Sequence, residues 1–107
     1  MNSSASELSF DVAVQRIIHE LQPEQIILFG SRARGDARAD SDYDLLVIAN
    51  GDPHELTRRA SRVLRGRRFA LDLLAYSRAY IDQRLEHSSL LKRIMREGTV
   101  LYENRAL

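Results

Sequence analysis

Apolar residues follow two different spacings along the chain, and these spacings predict alternating helices and strands. Between residues 9 and 21 the apolar positions recur every three or four residues, which is typical of one buried helix face. Short continuous runs rich in branched residues, such as residues 25–29, instead predict buried strands. The predicted helices cover residues 9–21, 53–65, 77–86 and about 89–97, and the predicted strands cover residues 25–29, 42–49, 69–76 and 99–102.

Turn and capping residues separate these elements. Pro23 prevents the first helix from continuing into the first strand. Asp52 and Pro53 provide a cap and a first helical residue for the helix that ends at Gly66. The last strand is short, and we expect it at an edge of the sheet.

The length of 107 residues predicts a single domain over residues 1–107, with residues 1–8 expected to be disordered. A separate substrate-binding domain would not fit in this length. No apolar run reaches transmembrane length, the first residues do not resemble a signal peptide, and cysteine is absent, so we expect a cytoplasmic protein. Sixteen basic residues balance fifteen acidic ones, so the overall charge does not favour direct nucleic-acid binding.

The stretch from Gly30 to Asp44 contains the most informative polar residues. Gly30 directly follows the first strand and permits another group to approach its backbone closely. If Ser31 caps a short helical turn, the free N–H groups and the serine hydroxyl would point toward an anion. This segment is therefore a candidate phosphate-binding site.

Three aspartates form a candidate metal site. Asp42 and Asp44 open the second strand on the same face, because side chains alternate along a strand. Two carboxylates held together repel each other unless a cation lies between them, and oxygen ligands suit magnesium. Asp72 is the single charged residue of the third strand, and it either pairs with an arginine or completes the metal site. The metal site is favoured, because the paired aspartates already require a cation nearby.

Arginines give the helix before Gly66 a basic face that continues into the following loop. The spacing fits a solvated face as well as it fits a docking surface for RNA or an acidic partner. The residues of this face are Arg58, Arg59, Arg62, Arg65, Arg67 and Arg68.

The sequence Gly30-Ser31, followed after ten residues by Asp42-Tyr43-Asp44, resembles the signature of the DNA polymerase beta-like nucleotidyltransferase superfamily. The run GSRARGDARADSDYDLLV, the later strand with its aspartate and the closing EGTVLYE are similar to the minimal nucleotidyltransferase family. Members of that family are short proteins that are usually encoded beside a HEPN-domain partner. Ala39 stands where many relatives have proline, which changes the stiffness of the loop rather than the chemistry.

The resemblance implies an α/β (α+β) fold with a mixed four-stranded sheet and helices packed mainly on one face. It also implies transfer of AMP from ATP to a hydroxyl group, with release of pyrophosphate. Asp42, Asp44 and Asp72 would then hold two Mg²⁺ ions, and Asp72 would also favour deprotonation of the hydroxyl. Gly30 and Ser31 would hold the triphosphate.

The partner implied by the resemblance is a HEPN-domain ribonuclease toxin. This chain would be the antitoxin, and it would silence the toxin by adding AMP to a tyrosine within a hetero-oligomer. The arginine and histidine spacing typical of HEPN ribonuclease sites is absent from the sequence. Arg32 or Arg34 could neutralise the leaving pyrophosphate, or both could be solvated loop residues.

Two other functions stay open at the level of the sequence. A binding-only antitoxin would mask its partner without catalysis, and the small size, the basic helix and the apolar stripe of residues 90–95 suit such a role. Transfer of a nucleotide to an antibiotic or to a nucleic-acid end is also known on this fold. The short chain argues against that third function, because relatives with those substrates typically carry an added substrate-binding domain.

Overall fold

The computed structural model describes residues 8–104, which form a sheet with helices on both faces. Residues 1–7 lie outside the described residues, so the disorder predicted for them stays a prediction. Leu8 was included in that segment, but it is only 5% exposed and packs in the core. The elements are α1 (Phe10–Leu21), β1 (Gln25–Phe29), α2 (Ser31–Arg34), β2 (Tyr43–Ile48), α3 (Pro53–Val63), β3 (Leu71–Tyr76), α4 (Arg78–Arg84), a 3₁₀ turn (Leu85–His87), α5 (Ser89–Glu97) and β4 (Thr99–Glu103).

The four strands lie in the order β3-β2-β1-β4. β1 is antiparallel to both of its neighbours, whereas β2 and β3 are parallel. A parallel pair requires a crossover connection, and α3 provides it between β2 and β3. The predicted mixed four-stranded sheet is confirmed, and β4 is at an edge as expected, with β3 at the other edge.

Alternation of side chains along the strands builds a separate apolar layer on each face of the sheet. Leu45 and Val47 belong to the layer that packs against α1 and α3. Leu46 and Ile48 point the other way and pack with Ile81 of α4 and with residues of α5. The helices are therefore divided between the two faces instead of lying mainly on one face. None of the helices within residues 8–104 combines the length and apolar character needed to cross a membrane.

Capping residues set the starts of the helices where the sequence placed them. The hydroxyl of Ser9 accepts a hydrogen bond from Val12 N at 3.2 Å, and Asp52 accepts from the amides of His54 and Glu55 at 3.0 and 3.1 Å. Strands β1 and β4 begin at the predicted residues, whereas β2 and β3 begin slightly later than predicted. β2 begins one residue later, which leaves Asp42 in the preceding loop, and β3 begins at Leu71 instead of residue 69.

Candidate active site

The strand register brings Asp44 and Asp72 side by side. Asp44 of β2 is paired with Asp72 across the parallel ladder and with Phe29, the last residue of β1, across the antiparallel one. Register partners project to the same face, which here is the face covered by α4 and α5. The two carboxyl groups are close enough to share a hydrogen bond. Asp42 lies in the loop just before β2, where it is exposed and its charge still acts on Asp44.

Burial of Asp44 raises the pKa of its carboxyl group above the ordinary value of 3.8. The negative charges of Asp72 and Asp42 and a hydrogen bond with Asp72 raise this pKa further, and the positive charge of Arg34 opposes the shift. Crowded carboxylates of this kind are the donors that suit a hard divalent cation. Among the described residues, however, no group of three acidic or histidine side chains forms a ready-made metal site. Asp44 and Asp72 are therefore the centre of the candidate site, and Asp42 lies beside them.

Gly30 forms one wall of this site. Its φ of +78° lies in the region that favours glycine, and a Cβ built on it would overlap Oδ2 of Asp44 and lie 3.1 Å from Cγ. Gly30 is also the cap of α2, so Ser31 is the first helical residue and not the cap that the sequence suggested. The backbone of Gly30, directly after β1, therefore contacts the carboxylate of Asp44.

Arg32 supports the loop between α2 and β2. Its guanidinium group donates hydrogen bonds to the carbonyl oxygens of Ser41 at 2.9 and 3.2 Å and of Ala39 at 3.1 Å. The same group lies 4.1 Å above the ring of Tyr43, which stacks on Phe10 on the opposite face of the sheet. Arg32 is therefore a structural residue, and its contacts fix the loop that leads to the aspartates.

Arg34 lines a cavity between the α2 segment and α5. Arg93 of α5 lines the same cavity, as do Gly30, Leu90 and Glu97. Arg34 makes one exposed ion pair with Asp36 at 3.4 Å, whereas the side chain of Arg93 has no ion pair or hydrogen bond within residues 8–104. The cavity thus presents two arginines beside the glycine that contacts Asp44. Sequence reasoning does not single out Arg93, because its spacing on α5 does not distinguish it from neighbouring cations.

The basic face of α3 is divided into two parts. Arg59 and Arg62 both pair with Glu20 of α1, at 3.2 and 3.0 Å, and Arg58 pairs with Glu55. These arginines are occupied within the chain. The arginines that follow, Arg65, Arg67 and Arg68, are exposed, and the side chain of Arg65 has no ion pair or hydrogen bond in the described part of the chain.

Known proteins match this chain over most of its length. A profile of the family described as "Polymerase beta, Nucleotidyltransferase" matches residues 13–106, a range that includes all the predicted site residues. The Methanocaldococcus jannaschii protein named "Putative protein adenylyltransferase MJ0604" is 29% identical over 79 residues, which cover 74% of this chain and 78% of that protein.

Solved structures with the same fold include two toxin–antitoxin structures. One was determined with AMP-PNP and has a TM-score of 0.56, covering 91% of this chain and 76% of its own chain. The other is a tyrosine-to-alanine mutant of the MntA–HpeT pair, with a TM-score of 0.53 and coverages of 91% and 75%. A structure from Sulfolobus solfataricus, described as a putative nucleotidyltransferase, has a TM-score of 0.54 and coverages of 86% and 87%. Each is 21% identical to this chain, so the likeness establishes the fold.

Proposed function

The chain belongs to the polymerase beta nucleotidyltransferase family, and from this premise we propose that it is an antitoxin that transfers AMP from ATP to a hydroxyl group of a partner toxin. The observation that carries the proposal is the pairing of Asp44 with Asp72 on adjacent strands, with the backbone of Gly30 against Asp44. A candidate phosphate-binding loop beside two crowded carboxylates favours phosphoryl transfer over simple nucleotide binding.

Asp42, Asp44 and Asp72 would hold two Mg²⁺ ions, which supply positive charge for the triphosphate and the attacking oxygen. The carboxylates are suited to this role because their mutual repulsion is relieved by a cation. Gly30 and Ser31 would hold the triphosphate, since the first amides of α2 have no acceptor within the helix.

In the proposed reaction the acceptor oxygen forms a bond to the α-phosphorus of ATP, and the bond from that phosphorus to the bridging oxygen of the β-phosphate breaks. Pyrophosphate leaves with the electron pair of the broken bond. The exposed carboxylate of Asp72 favours deprotonation of the acceptor hydroxyl. Arg34 and Arg93 line the cavity beside Gly30 and would neutralise the charge of the β- and γ-phosphates.

The acceptor we propose is a tyrosine of a HEPN-domain ribonuclease toxin, bound as a hetero-oligomer. Two kinds of observation support a protein acceptor. Similar structures are toxin–antitoxin assemblies, one of them with AMP-PNP, and a similar protein bears the name of a protein adenylyltransferase. The described residues form one sheet with its helices, and a partner that presents the hydroxyl group fits this architecture.

The decisive experiment incubates the chain with ATP labelled at the α-phosphate, Mg²⁺ and the protein encoded by the neighbouring gene. We expect label on the partner with the wild-type chain and none with Asp44→Asn. The proposal fails if no label is transferred, or if Asp44→Asn transfers label as well as the wild type.

A second candidate function is neutralisation by masking alone. The exposed apolar side chains of Leu90 on α5 and of Val100 and Leu101 on β4 favour this function, because exposed apolar residues are common at protein interfaces. Neutralisation of the toxin that survives the loss of Asp42 and Asp44 would establish masking, and full dependence on these carboxylates would reject it.

A further inference from the structure

We propose that the outer edge of β3 at residues 71–73 binds an extended, acidic segment of the protein partner as an added strand, and that this segment brings the acceptor hydroxyl to Asp72. The inference rests on the proposed function, which supplies the protein acceptor. It adds where the partner binds and in which conformation.

The hydrogen-bond ladder leaves this edge open. Tyr43 N donates to Ala70 O at 2.9 Å and Ala49 N donates to Tyr76 O at 3.0 Å, which fixes the parallel ladder between β2 and β3. In such a ladder alternate residues point their N–H and C=O groups toward the neighbouring strand. Leu71 and Leu73 therefore point theirs away from β2, and within residues 8–104 no strand pairs with this edge.

The open part of the edge is short. Ala75 is only 2% exposed, so its backbone is covered, whereas Leu71 and Leu73 are partly exposed. Two depressions follow the strand on its outer side. One lies between α3 and residues 71–73, and the other continues along residues 73–76 toward Tyr80 of α4. The two depressions share Thr57 and Leu73, so together they follow β3 from Leu71 to Tyr76.

Asp72 connects this edge to the candidate active site. Asp72 lies between Leu71 and Leu73, and its exposed side chain is on the same face as that of Asp44. In an added strand, the residue opposite Asp72 would project to that same face. A hydroxyl side chain at that position would meet the carboxylate pair from the side that β2 does not occupy. Strand addition therefore explains how a protein hydroxyl could be positioned beside Asp72.

Unpaired positive charge at the start of this edge indicates the composition of the segment. Arg65 and Arg68 lie in the loop before β3, are exposed, and have no ion pair or hydrogen bond in the described part of the chain. Arg67 lines the depression that also includes Asp72. Acidic residues flanking the hydroxyl residue would complement these arginines. The alternating backbone donors and acceptors of the edge select a polypeptide over RNA as the occupant.

Amide hydrogen exchange of the wild-type chain tests the inference without any substitution. The probe is the protein encoded by the neighbouring gene. We expect its binding to slow exchange at the amides of Leu71 and Leu73 at least about tenfold. The amides of Asp72 and Leu74 already face β2 and serve as internal controls. Unchanged exchange at Leu71 and Leu73 in the complex, or protection of these amides by RNA instead, would overturn the inference.

A matched pair of variants provides the second test. Leu73→Pro removes an outward N–H without removing a bond to β2, a substitution that edge strands tolerate, whereas Leu73→Ala removes only the side chain. We expect Leu73→Pro to lower kcat/KM for AMP transfer to the partner about tenfold more than Leu73→Ala, with ATP binding unchanged in both. Equal rates for the two variants would overturn the inference. Absence of transfer by the wild type would instead overturn the proposed function, and this inference with it.

Discussion

Gly30 lies so close to Asp44 that a methyl group on the glycine would overlap Oδ2 of the aspartate. The contact joins the end of β1 to the start of β2, where Asp44 is paired with the residue preceding Gly30. The carboxylate of Asp44 therefore contacts the backbone of Gly30 on one side and lies beside the carboxylate of Asp72 on the other.

Substitution of Gly30 by alanine tests whether this contact positions the carboxylate. Gly35 provides a control for positive φ, because its left-handed backbone (φ +86°, ψ +8°) also disfavours alanine while nothing lies within 4 Å of the Cβ position. Gly35→Ala should lose about 1 kcal/mol of stability, and Gly30→Ala should lose more, up to about 3 kcal/mol, because its φ of +78° and ψ of −158° are adopted almost only by glycine. Only Gly30→Ala should also lose AMP transfer, by about 100-fold, because it displaces Asp44. Equal activity of the two variants would contradict a positioning role for Gly30.

The raised pKa of Asp44 predicts the direction in which stability depends on pH. The unfolded chain releases this proton at a lower pH than the folded chain does. As the pH rises from below the ordinary value of 3.8 to above the raised value, the folded state therefore loses stability from this group. We expect Asp44→Asn to remove this loss and to melt at a higher temperature than the wild type at pH 7 with EDTA. Asp82→Asn is the control, because it changes an exposed residue of α4, and its melting temperature should depend on pH as that of the wild type does. The prediction is contradicted if the melting temperature of Asp44→Asn also follows the wild-type dependence on pH.

Magnesium should stabilise the wild-type chain at neutral pH, because a cation relieves the repulsion between the carboxylates. At 100 times the dissociation constant the gain is about 2.7 kcal/mol, which is easily measured as a rise in Tm. The rise should be absent in Asp44→Asn and smaller in Asp72→Asn. An equal rise in the wild type and in both variants would place the bound Mg²⁺ elsewhere.

Local sequence rules were sufficient for most of the fold and for part of the site. The cap at Asp52 acts as predicted, because capping depends on residues within one turn. The predicted metal site requires the strands of Asp44 and Asp72 to be neighbours, a condition that no local rule supplies and that the parallel register meets. The roles of Arg32 and Arg93 could not be predicted, because each depends on which distant backbone or cavity the side chain reaches.

Replacement of Arg32 by lysine tests its structural role. The guanidinium group donates to two carbonyl oxygens and lies over Tyr43, and an ammonium group cannot reproduce this geometry. We expect Arg32→Lys to lose about 1–2 kcal/mol of stability, measured by urea unfolding. KM for ATP should change little, because the side chain faces the loop and not the phosphates. A large rise in KM without loss of stability would instead indicate direct contact with the nucleotide.

Arg93 should contribute to ATP binding through the cavity that it shares with Arg34. We expect Arg93→Gln to raise KM for ATP about tenfold, since a hydrogen bond to a charged group contributes about 1.5–3 kcal/mol and exposure reduces this contribution. Lys92→Gln is the matched control, because it removes the same charge from an exposed position on the same helix outside the cavity. Glu97 also lines the cavity, so Glu97→Gln should lower KM by removing a negative charge near the phosphates. Equal KM values for Arg93→Gln and Lys92→Gln would show that only the overall charge of α5 affects ATP binding and that Arg93 does not contact the nucleotide.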